Sequence, residues 1–402
     1  MTSTKTKFPS LTEFVIIISM MMALTALSID AMLPALGQIG KELNVANPNS
    51  RQLIVSLIFF GLAIGQLFFG PLSDSIGRKR AIYIGYVIFV FGAFISLLST
   101  SFLIMLLGRT LQGVGVSAPR AVSMALVRDR YEGRKMARVM SFASTVFILI
   151  PMIAPSIGQG VLSVAGWRSI FGMLIAFAFI TLLGFAIRIP ETLPLEKRIP
   201  FSLKRIANSV IEILKTRSAL GYTITIGLVQ GAFLGYLNSS QQIFQEQYAL
   251  GERFPLYFST VALSLGLASL LNARFVMLYG MRALVRWALG LILGLGSLFF
   301  FIALAMGGLP PLWLLMAYLM ISFFGVGILF GNVNALAMQP LGHLAGLGAA
   351  LVGSLSTLIS MLLGMLIGQS YDETILPLVI GLTVLSGMAI FANRWASGAE
   401  KD

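Results

Sequence analysis

The segment Gly70-Pro71-Leu72-Ser73-Asp74-Ser75-Ile76-Gly77-Arg78-Lys79-Arg80 connects two long apolar stretches, Gln52–Phe69 and Ala81–Leu98. It places one acid, three consecutive cations and two glycines where a hairpin of apolar helices needs only a polar turn. A plain cationic loop would account for the charges but not for the spacing Gly-x-Leu-x-Asp-x-x-Gly-Arg. The segment therefore predicts a loop that makes specific contacts with other parts of the protein and changes them during function.

The composition of the chain indicates a membrane protein. Of its 402 residues, 57% are hydrophobic and 11% are charged, and the mean hydropathy is +0.91. Soluble domains carry about 25% charged residues, and a bilayer is spanned by about 20 apolar residues in a helix. Long uninterrupted apolar stretches favour helices over barrel strands, which would alternate in polarity. We predict an all-α polytopic membrane protein with about twelve transmembrane helices, near residues 12–37, 51–72, 80–98, 101–126, 136–160, 167–188, 218–240, 255–278, 282–306, 311–336, 342–369 and 372–393.

A charged, proline-containing segment interrupts these stretches at the middle of the chain. Within it, Phe201–Arg217 has the pattern of an amphipathic helix that lies on a membrane surface. The loop Asn272–Arg282 is a degenerate copy of the first signature, with Met277 in the position of Asp74. Two pseudo-symmetric six-helix bundles are the expected architecture. The predicted units are an N-terminal bundle at 1–188, a cytoplasmic linker at 189–217 and a C-terminal bundle at 218–402.

The net charge of +13 is explained by membrane topology and requires no nucleic-acid partner. If both termini are cytoplasmic, most Lys and Arg residues fall on the cytoplasmic side, as the positive-inside rule requires. The apolar stretch from Phe14 to Leu36 is longer than the core of a signal peptide, so we expect it to be a retained first helix. The chain contains no cysteine, which excludes disulfides and thiol chemistry.

Three charged residues lie well inside predicted spans, away from the span ends: Asp30 in the first, and Arg109 and Arg120 in the fourth. Each would cost about 2.5–3.5 kcal/mol at the bilayer centre, so they must face a cavity or form pairs. Helix geometry places Asp30 roughly 9 Å and Arg109 roughly 12 Å from the same membrane face, which predicts an ion pair between them. Arg120 would then point into the inner half of the same cavity. A carboxylate in such a site can gain and lose a proton as helices move, so Asp30 is the predicted proton carrier; a purely structural ion pair is the alternative.

No sequence feature indicates an enzyme or a cofactor. The segment Gly113-Val-Gly115-Val-Ser-Ala118 matches a dinucleotide-binding pattern, but it lies inside an apolar helix and not between a strand and a helix. His343 is the only histidine, which gives no basis for a metal site. Pro151 and Pro155 in the fifth span predict a bend that serves either as a hinge or as an ordinary packing kink.

Several blocks, in order along the chain, resemble the Bcr/CflA-type drug:proton antiporters of the major facilitator superfamily. The blocks are Asp30–Leu36, Gly70–Arg80, Arg109–Gly113, Arg120–Asp129, Pro151–Gly158, Phe244–Tyr248 and Gly331–Gly353. The resemblance implies a cytoplasmic gate in which Asp74, Arg78 and Asp129 form a charge cluster, shaped by Gly70 and Gly77. It also implies that Pro151, Pro155 and Gly158 form an antiporter motif, and that the protein is a monomer.

Some multidrug relatives carry a second acid two turns before Asp30, where this chain has Met22. With one acid and two arginines, the cavity favours neutral, zwitterionic or anionic amphiphiles over lipophilic cations. Candidate substrate contacts are Met22, Gln112, Asn238, Gln241, Asn332 and Asn334. The polar groups in spans seven and ten are equally compatible with interhelical hydrogen bonds.

The sequence thus predicts proton-coupled efflux of small amphiphilic drugs or metabolites across a bacterial inner membrane by alternating access. A dedicated exporter or importer of a single metabolite, such as a siderophore, is the alternative. The expected partners are the substrate, protons and the lipid bilayer, and no cofactor is expected.

Overall fold

The computed structural model describes residues 8–398, and within that range the chain consists of helices and their connections, without a β-strand. The α-helices are α1 (Leu11–Asp30), α2 (Leu36–Glu42), α3 (Leu53–Ile76), α4 (Arg78–Leu97), α5 (Phe102–Arg130), α6 (Gly133–Ala165), α7 (Arg168–Arg188), α8 (Leu203–Lys215), α9 (Arg217–Gln241), α10 (Phe254–Tyr279), α11 (Met281–Ala305), α12 (Leu312–Met338), α13 (Ala345–Gln369) and α14 (Leu376–Gly398).

Eleven helical segments of the described chain are long and apolar enough to cross a membrane, and a shorter apolar stretch, Leu149–Ala165, lies within α6. This confirms the predicted all-α, multi-pass membrane architecture of about twelve spans. We refer to α1–α7 as the first half of the chain and to α9–α14 as the second half. Helix α3 follows Asn49 closely and contains Asp74 in its last turns. The two ends of the molecule are therefore called the Asn49 end and the Asp74 end.

The first span is not the continuous helix that its hydropathy predicts. Helix α1 ends at Asp30, a 3₁₀ turn covers Leu33–Ala35, and α2 begins at Leu36. The physical reason is Pro34, which has no N–H to donate to the carbonyl of Asp30 four residues earlier. The break leaves the carboxyl group of Asp30 at the end of a buried helix.

The fifth predicted span, in contrast, is one continuous helix although it contains two prolines. Helix α6 continues through Pro151 and Pro155 from Gly133 to Ala165. A proline in a helix removes one backbone hydrogen bond, and long helices with extensive tertiary packing tolerate this loss. The prolines therefore do not end the helix, and Pro155 is buried while Pro151 is half-buried.

Small residues set the spacing between helices. Gly113 on α5 contacts the backbone of Ile58 on α3, and Gly115 contacts the backbone of Phe89 on α4. Packing of this kind is common where helices meet inside a membrane, since the absence of a side chain lets backbones approach closely. Across the two halves, α3 lies along α13 and α6 lies along α10. These two contacts place α3 and α6 against the second half.

Helix α8 lies inside the segment predicted to be amphipathic. Ser202 caps its first turn by accepting a hydrogen bond from the backbone N–H of Arg205. Ile206 and Ile213, two turns apart, are buried, whereas Leu203 is exposed. The buried face packs against α13 and α9, so the linker is attached to the second half as well as to the first.

Candidate functional site

Asp30 lies in the interior of the bundle at the break in the first span. Its residue exposure is 4%, and no hydrogen bond or ion pair joins it to another residue of the described part of the chain. The predicted ion pair between Asp30 and Arg109 is therefore wrong. Sequence depth placed the two residues at a similar level, but depth does not fix the rotation of each helix about its axis.

The guanidinium group of Arg109 hydrogen-bonds to the backbones of two neighbouring helices instead. Its Nε donates to the carbonyl of Ile54 (2.9 Å), and its Nη2 donates to the carbonyl of Ser28 (2.8 Å). Nη1 donates to Oε1 of Gln112 at 3.1 Å. Arg109 is fully buried, and its contacts tie α5 to α1 and α3. One of them reaches the last turn of α1, two residues before Asp30.

Gln112, a candidate substrate contact, is held between helices. Its Nε2 donates to Oγ of Ser96 (2.8 Å) and to the carbonyl of Gly92 (3.4 Å), both on α4. Together with the bond from Arg109, these contacts occupy both ends of the side-chain amide. In this structure the amide group of Gln112 is therefore held between Arg109 and α4.

The motif on α6 contacts the first span beside Asp30. Gly158 is buried and lies against the backbone carbonyl of Ala31, the residue that follows Asp30. A β-carbon at position 158 would overlap that carbonyl oxygen. The proline-glycine motif that the resemblance singled out is thus packed directly against the break that carries Asp30.

An aromatic cluster in the second half surrounds a buried tyrosine. Tyr236 on α9 is 2% exposed, and its hydroxyl has no hydrogen-bond partner within the described residues. Its ring packs against Phe323 (4.7 Å between centroids), Phe258 (5.6 Å) and Phe244 (6.4 Å). Sequence reasoning missed Tyr236, although it stands two residues before the polar run Asn238–Gln242 in a predicted span.

The Asn49 end is held by polar contacts between the two halves. Nη2 of Arg51 pairs with Oε2 of Glu246 at 2.7 Å. Gln242 donates from Nε2 to Oδ1 of Asn49 (2.8 Å) and accepts a bond from Gln52. We call these five residues the polar clamp. Its second-half members lie in a single stretch of π-helix, Gln242–Gln247, that ends α9; such irregular helical turns often occur at functional sites.

Two predicted substrate contacts lie next to the clamp. Asn238 donates from Nδ2 to Oγ of Ser56 (3.0 Å) and to the carbonyl of Gly364 (2.9 Å), bridging α3, α9 and α13. Gln241 donates to Oε1 of Glu246 at 3.2 Å. Asn238 therefore joins three helices in this structure, whereas Gln241 bonds to Glu246 within the π-helical turn that ends α9.

The Asp74 end contains the charge cluster that the signature segment predicts. Arg78 pairs with Asp74 one turn earlier and donates from Nε to Oδ2 of Asp129 at 2.9 Å. Its Nη1 also donates to Oγ of Ser73 (2.8 Å). Gly77 links α3 to α4 with φ +101°, a conformation that favours glycine. The turn brings the arginine of α4 under the end of α3.

The linker is part of this cluster, which sequence reasoning missed. The carboxylate of Glu191 accepts hydrogen bonds from the backbone N–H groups of Arg78 (3.0 Å) and Lys79 (3.1 Å) at the start of α4. The hydroxyl of Thr192 donates to Oδ2 of Asp129 at 2.8 Å. A carboxylate at a helix N-terminus is favourable because the N–H groups there have no partner within the helix.

The remaining candidates are dispersed. Met22 is half-buried on α1, and Arg120 is half-buried on α5. Asn332 pairs with Asn272 across α12 and α10, with Nδ2 donating at 2.7 Å. Asn334 is exposed on the surface of α12.

Comparison with known proteins agrees with this geometry. A family model described as Major Facilitator Superfamily matches residues 11–395. The uncharacterized MFS-type transporter YdgK of Bacillus subtilis is 30% identical over 93% of each chain. A bicyclomycin resistance protein homolog of Haemophilus influenzae is 27% identical over 94% of each chain. The partially occluded, inward-open xylose transporter XylE of Escherichia coli has the same fold, with a TM-score of 0.70, 14% identity and 96% of each chain covered. These names are consistent with the resemblance found in the sequence motifs.

Proposed function

The chain belongs to the major facilitator superfamily, and from this premise we propose that it exports small amphiphilic compounds in exchange for protons. Asp30 is the proton carrier in this proposal. The observation that carries it is a single carboxyl group, buried at a helix break, that has no hydrogen-bond or ion-pair partner among the described residues. The relative in Haemophilus influenzae, named for resistance to bicyclomycin, supports export of a small drug.

The energetics of a buried carboxylate connect Asp30 to conformational change. A charged group without a partner is costly in a low-dielectric interior, whereas contact with water or a bound ligand lowers that cost. Any movement of α6 or α9 that hydrates Asp30 therefore changes its affinity for a proton. This is the coupling that an antiporter requires, because proton binding and helix movement are then linked.

The two ends of the molecule supply the gates in this proposal. The polar clamp joins the two halves at the Asn49 end, and the cluster around Arg78 lies at the Asp74 end. Alternating access in such folds is a rocking of one helix bundle against the other around a central site. The distribution of Lys and Arg supports placing the Asp74 end and both termini in the cytoplasm of a bacterium, with the chain in the inner membrane.

Substrate-dependent proton flux in proteoliposomes tests the proposal. The purified protein is reconstituted with an internal pH dye, a proton gradient is imposed, and thiamphenicol, ciprofloxacin or tetraphenylphosphonium is added. We expect at least one neutral or zwitterionic compound to drive proton flux in the wild type and not in Asp30→Asn. Glu13→Gln is the matched control, because Glu13 is also on α1 but pairs with Arg188 at the surface.

Two results would contradict the proposal. Equal proton flux in the wild type and Asp30→Asn would remove Asp30 as the carrier. Substrate movement without proton flux in the wild type would indicate a uniporter or a different coupling ion.

A further inference from the structure

We propose that the side of helix α8 that points away from the bundle docks on the anionic phospholipids of the adjacent membrane leaflet. We call this surface the lipid face. It consists of Leu203, Lys204, Ala207, Ile211, Leu214 and Lys215. The partner is a lipid surface of defined charge, so the inference goes beyond the proposed transport and requires neither a substrate nor protons.

The protein covers only one side of α8. Ile206 and Ile213 are buried on the side that packs against α13 and α9. Leu203, Ile211 and Leu214 remain exposed by 63%, 47% and 48%. Their positions fall within about 80° of one another around the helix, so they form a single apolar arc. Large apolar side chains grouped in this way mark a surface that another apolar phase covers.

Two lysines adjoin this apolar arc. Lys204 and Lys215 are exposed and eleven residues apart, which places them within about 20° of each other and next to Ile211. The one acid of α8, Glu212, lies about 60° beyond Lys215. A lysine in such a position covers apolar surface with its methylene groups and extends its charge to the headgroups. The lipid face therefore combines apolar insertion with attraction for anionic lipids.

Contacts at the C-terminal end of α8 place it at the depth of the membrane interface. Only Thr216 separates α8 from α9, whose membrane-spanning segment begins at Arg217. Nε of Arg217 donates to the carbonyl of Trp395 in the last turn of α14 (3.0 Å), and the guanidinium group lies 5.6 Å from the centre of the tryptophan ring. Trp395 is exposed, and tryptophan at the end of a span is typical of the interface between lipid and water. The end of α8 thus lies where lipid headgroups are found.

The adjacent cation Arg205 faces the protein instead. With Asp74 and Ile206 it lines a small cavity between α8 and the ends of α3 and α13. Just before α8, the backbone N–H of Ile199 donates to the carbonyl of Asp74 at 3.0 Å, which holds the linker against α3. Lys204 and Arg205 therefore carry the same charge at neighbouring positions but point to different surroundings.

Site-directed fluorescence in nanodiscs tests the lipid face directly. The chain has no cysteine, so Ala207→Cys, at an exposed position of the arc, accepts a single environment-sensitive fluorophore. The nanodiscs contain phosphatidylcholine alone or an equimolar mixture with phosphatidylglycerol. We expect the fluorophore to be hydrated in the first and buried in lipid in the second. Lys204→Gln and Lys215→Gln should each lower the ratio of buried to hydrated fluorophore about fivefold, the contribution of one cation at an anionic surface.

Arg205→Gln is the matched control, because it removes the same charge from the side of α8 that faces Asp74. The ratio should change less than about twofold in this variant. Lys204→Arg keeps the charge and should keep the ratio of the parent, which separates loss of charge from a local change in folding.

Three outcomes would overturn the lipid face. Equal burial of the fluorophore in both lipid compositions would show apolar anchoring without recognition of headgroup charge. A hydrated fluorophore in both would show that the face points into water, where a soluble protein would be its partner. Equal effects of Lys204→Gln and Arg205→Gln would show that only net charge matters. None of these results bears on proton exchange, so the proposed antiport fails or succeeds separately.

Discussion

Gly158 provides the sharpest test at the scale of single residues. It lies against the Ala31 carbonyl at the break after Asp30, where a β-carbon has no space. Gly158→Ala should force α6 away from α1 and lower the rate of substrate-driven proton flux by at least about tenfold, since small displacements at a reacting site have effects of this size. The measurement is the initial rate in proteoliposomes at equal protein content.

Gly160→Ala is the control for that substitution. Gly160 is on the same helix, and a β-carbon there would meet no atom within 4 Å. Alanine is favoured over glycine inside a helix by roughly 0.5–1 kcal/mol, so this variant should retain full activity and unfold at the same or a higher temperature. Equal loss of flux in both variants would show that α6 is sensitive to any added side chain and not specifically to its contact with Ala31.

The partners of Arg78 were predicted from the sequence, whereas the partners of the charged residues inside the spans were not. Asp30 and Arg109 stand out because charges are rare in apolar spans, and both are buried as expected. The predicted ion pair is absent because the depth of a residue in the membrane does not determine the rotation of its helix. The guanidinium group of Arg109 donates to two backbone carbonyls instead. Tyr236 was overlooked because tyrosine is common in membrane helices, and only the three-dimensional structure shows that its hydroxyl lacks a partner.

At the scale of secondary structure elements, substitution of Glu191 tests whether the linker stabilises the start of α4. Its carboxylate accepts the N–H groups of Arg78 and Lys79 and so caps α4 from the linker. Glu191→Ala should weaken the first turn of α4 by about 1 kcal/mol, the usual value for loss of an N-terminal cap. Hydrogen–deuterium exchange of the amides of residues 78–82 should become several-fold faster.

Glu196→Ala is the appropriate control, because Glu196 is an exposed acid in the same linker. This substitution removes the same charge as Glu191→Ala. Its exchange pattern at residues 78–82 should match the wild type. If Glu191→Ala also leaves that exchange unchanged, the linker does not stabilise α4 through this carboxylate.

Element boundaries show where hydropathy is sufficient and where it is not. Uninterrupted apolar stretches identified about twelve spans, because bilayer thickness sets helix length. Hydropathy did not locate the break after Asp30, since the residues Met32–Leu36 are as apolar as the helix before them. Pro34 marks the position of that break, yet Pro151 and Pro155 do not interrupt α6. A proline shows where a backbone hydrogen bond is missing, and the surrounding packing decides whether the helix ends.

At the scale of the whole molecule, the contacts between the halves differ in kind along the bundle. Small residues and backbone contacts dominate between α3 and α13, where Ser354 donates to the carbonyl of Ala63 at 2.7 Å. The Asn49 end is joined by the ion pair and amide bonds of the polar clamp. The side chain of Glu246 is 43% exposed, so its ion pair with Arg51 can be exchanged for hydration, and the clamp is suited to opening and closing. The block Phe244–Tyr248 contains Glu246, but nothing in the sequence indicates its partner Arg51, because polar residues are common at span ends.

The clamp predicts how opening of the Asn49 end responds to loss of one charge. The chain has no cysteine, so Ser240→Cys, at a buried position next to Gln241, provides a single thiol whose labelling by an impermeant maleimide reports opening. Adding Glu246→Gln removes the ion pair with Arg51 and should speed labelling about twofold to fivefold, the range expected for a partly exposed pair. Glu42→Gln removes the ion pair between Glu42 and Arg168 at the same end but within the first half, and labelling should stay at the rate of the parent. Equal acceleration by both substitutions would mean that the pair between Arg51 and Glu246 does not specifically hold the two halves together.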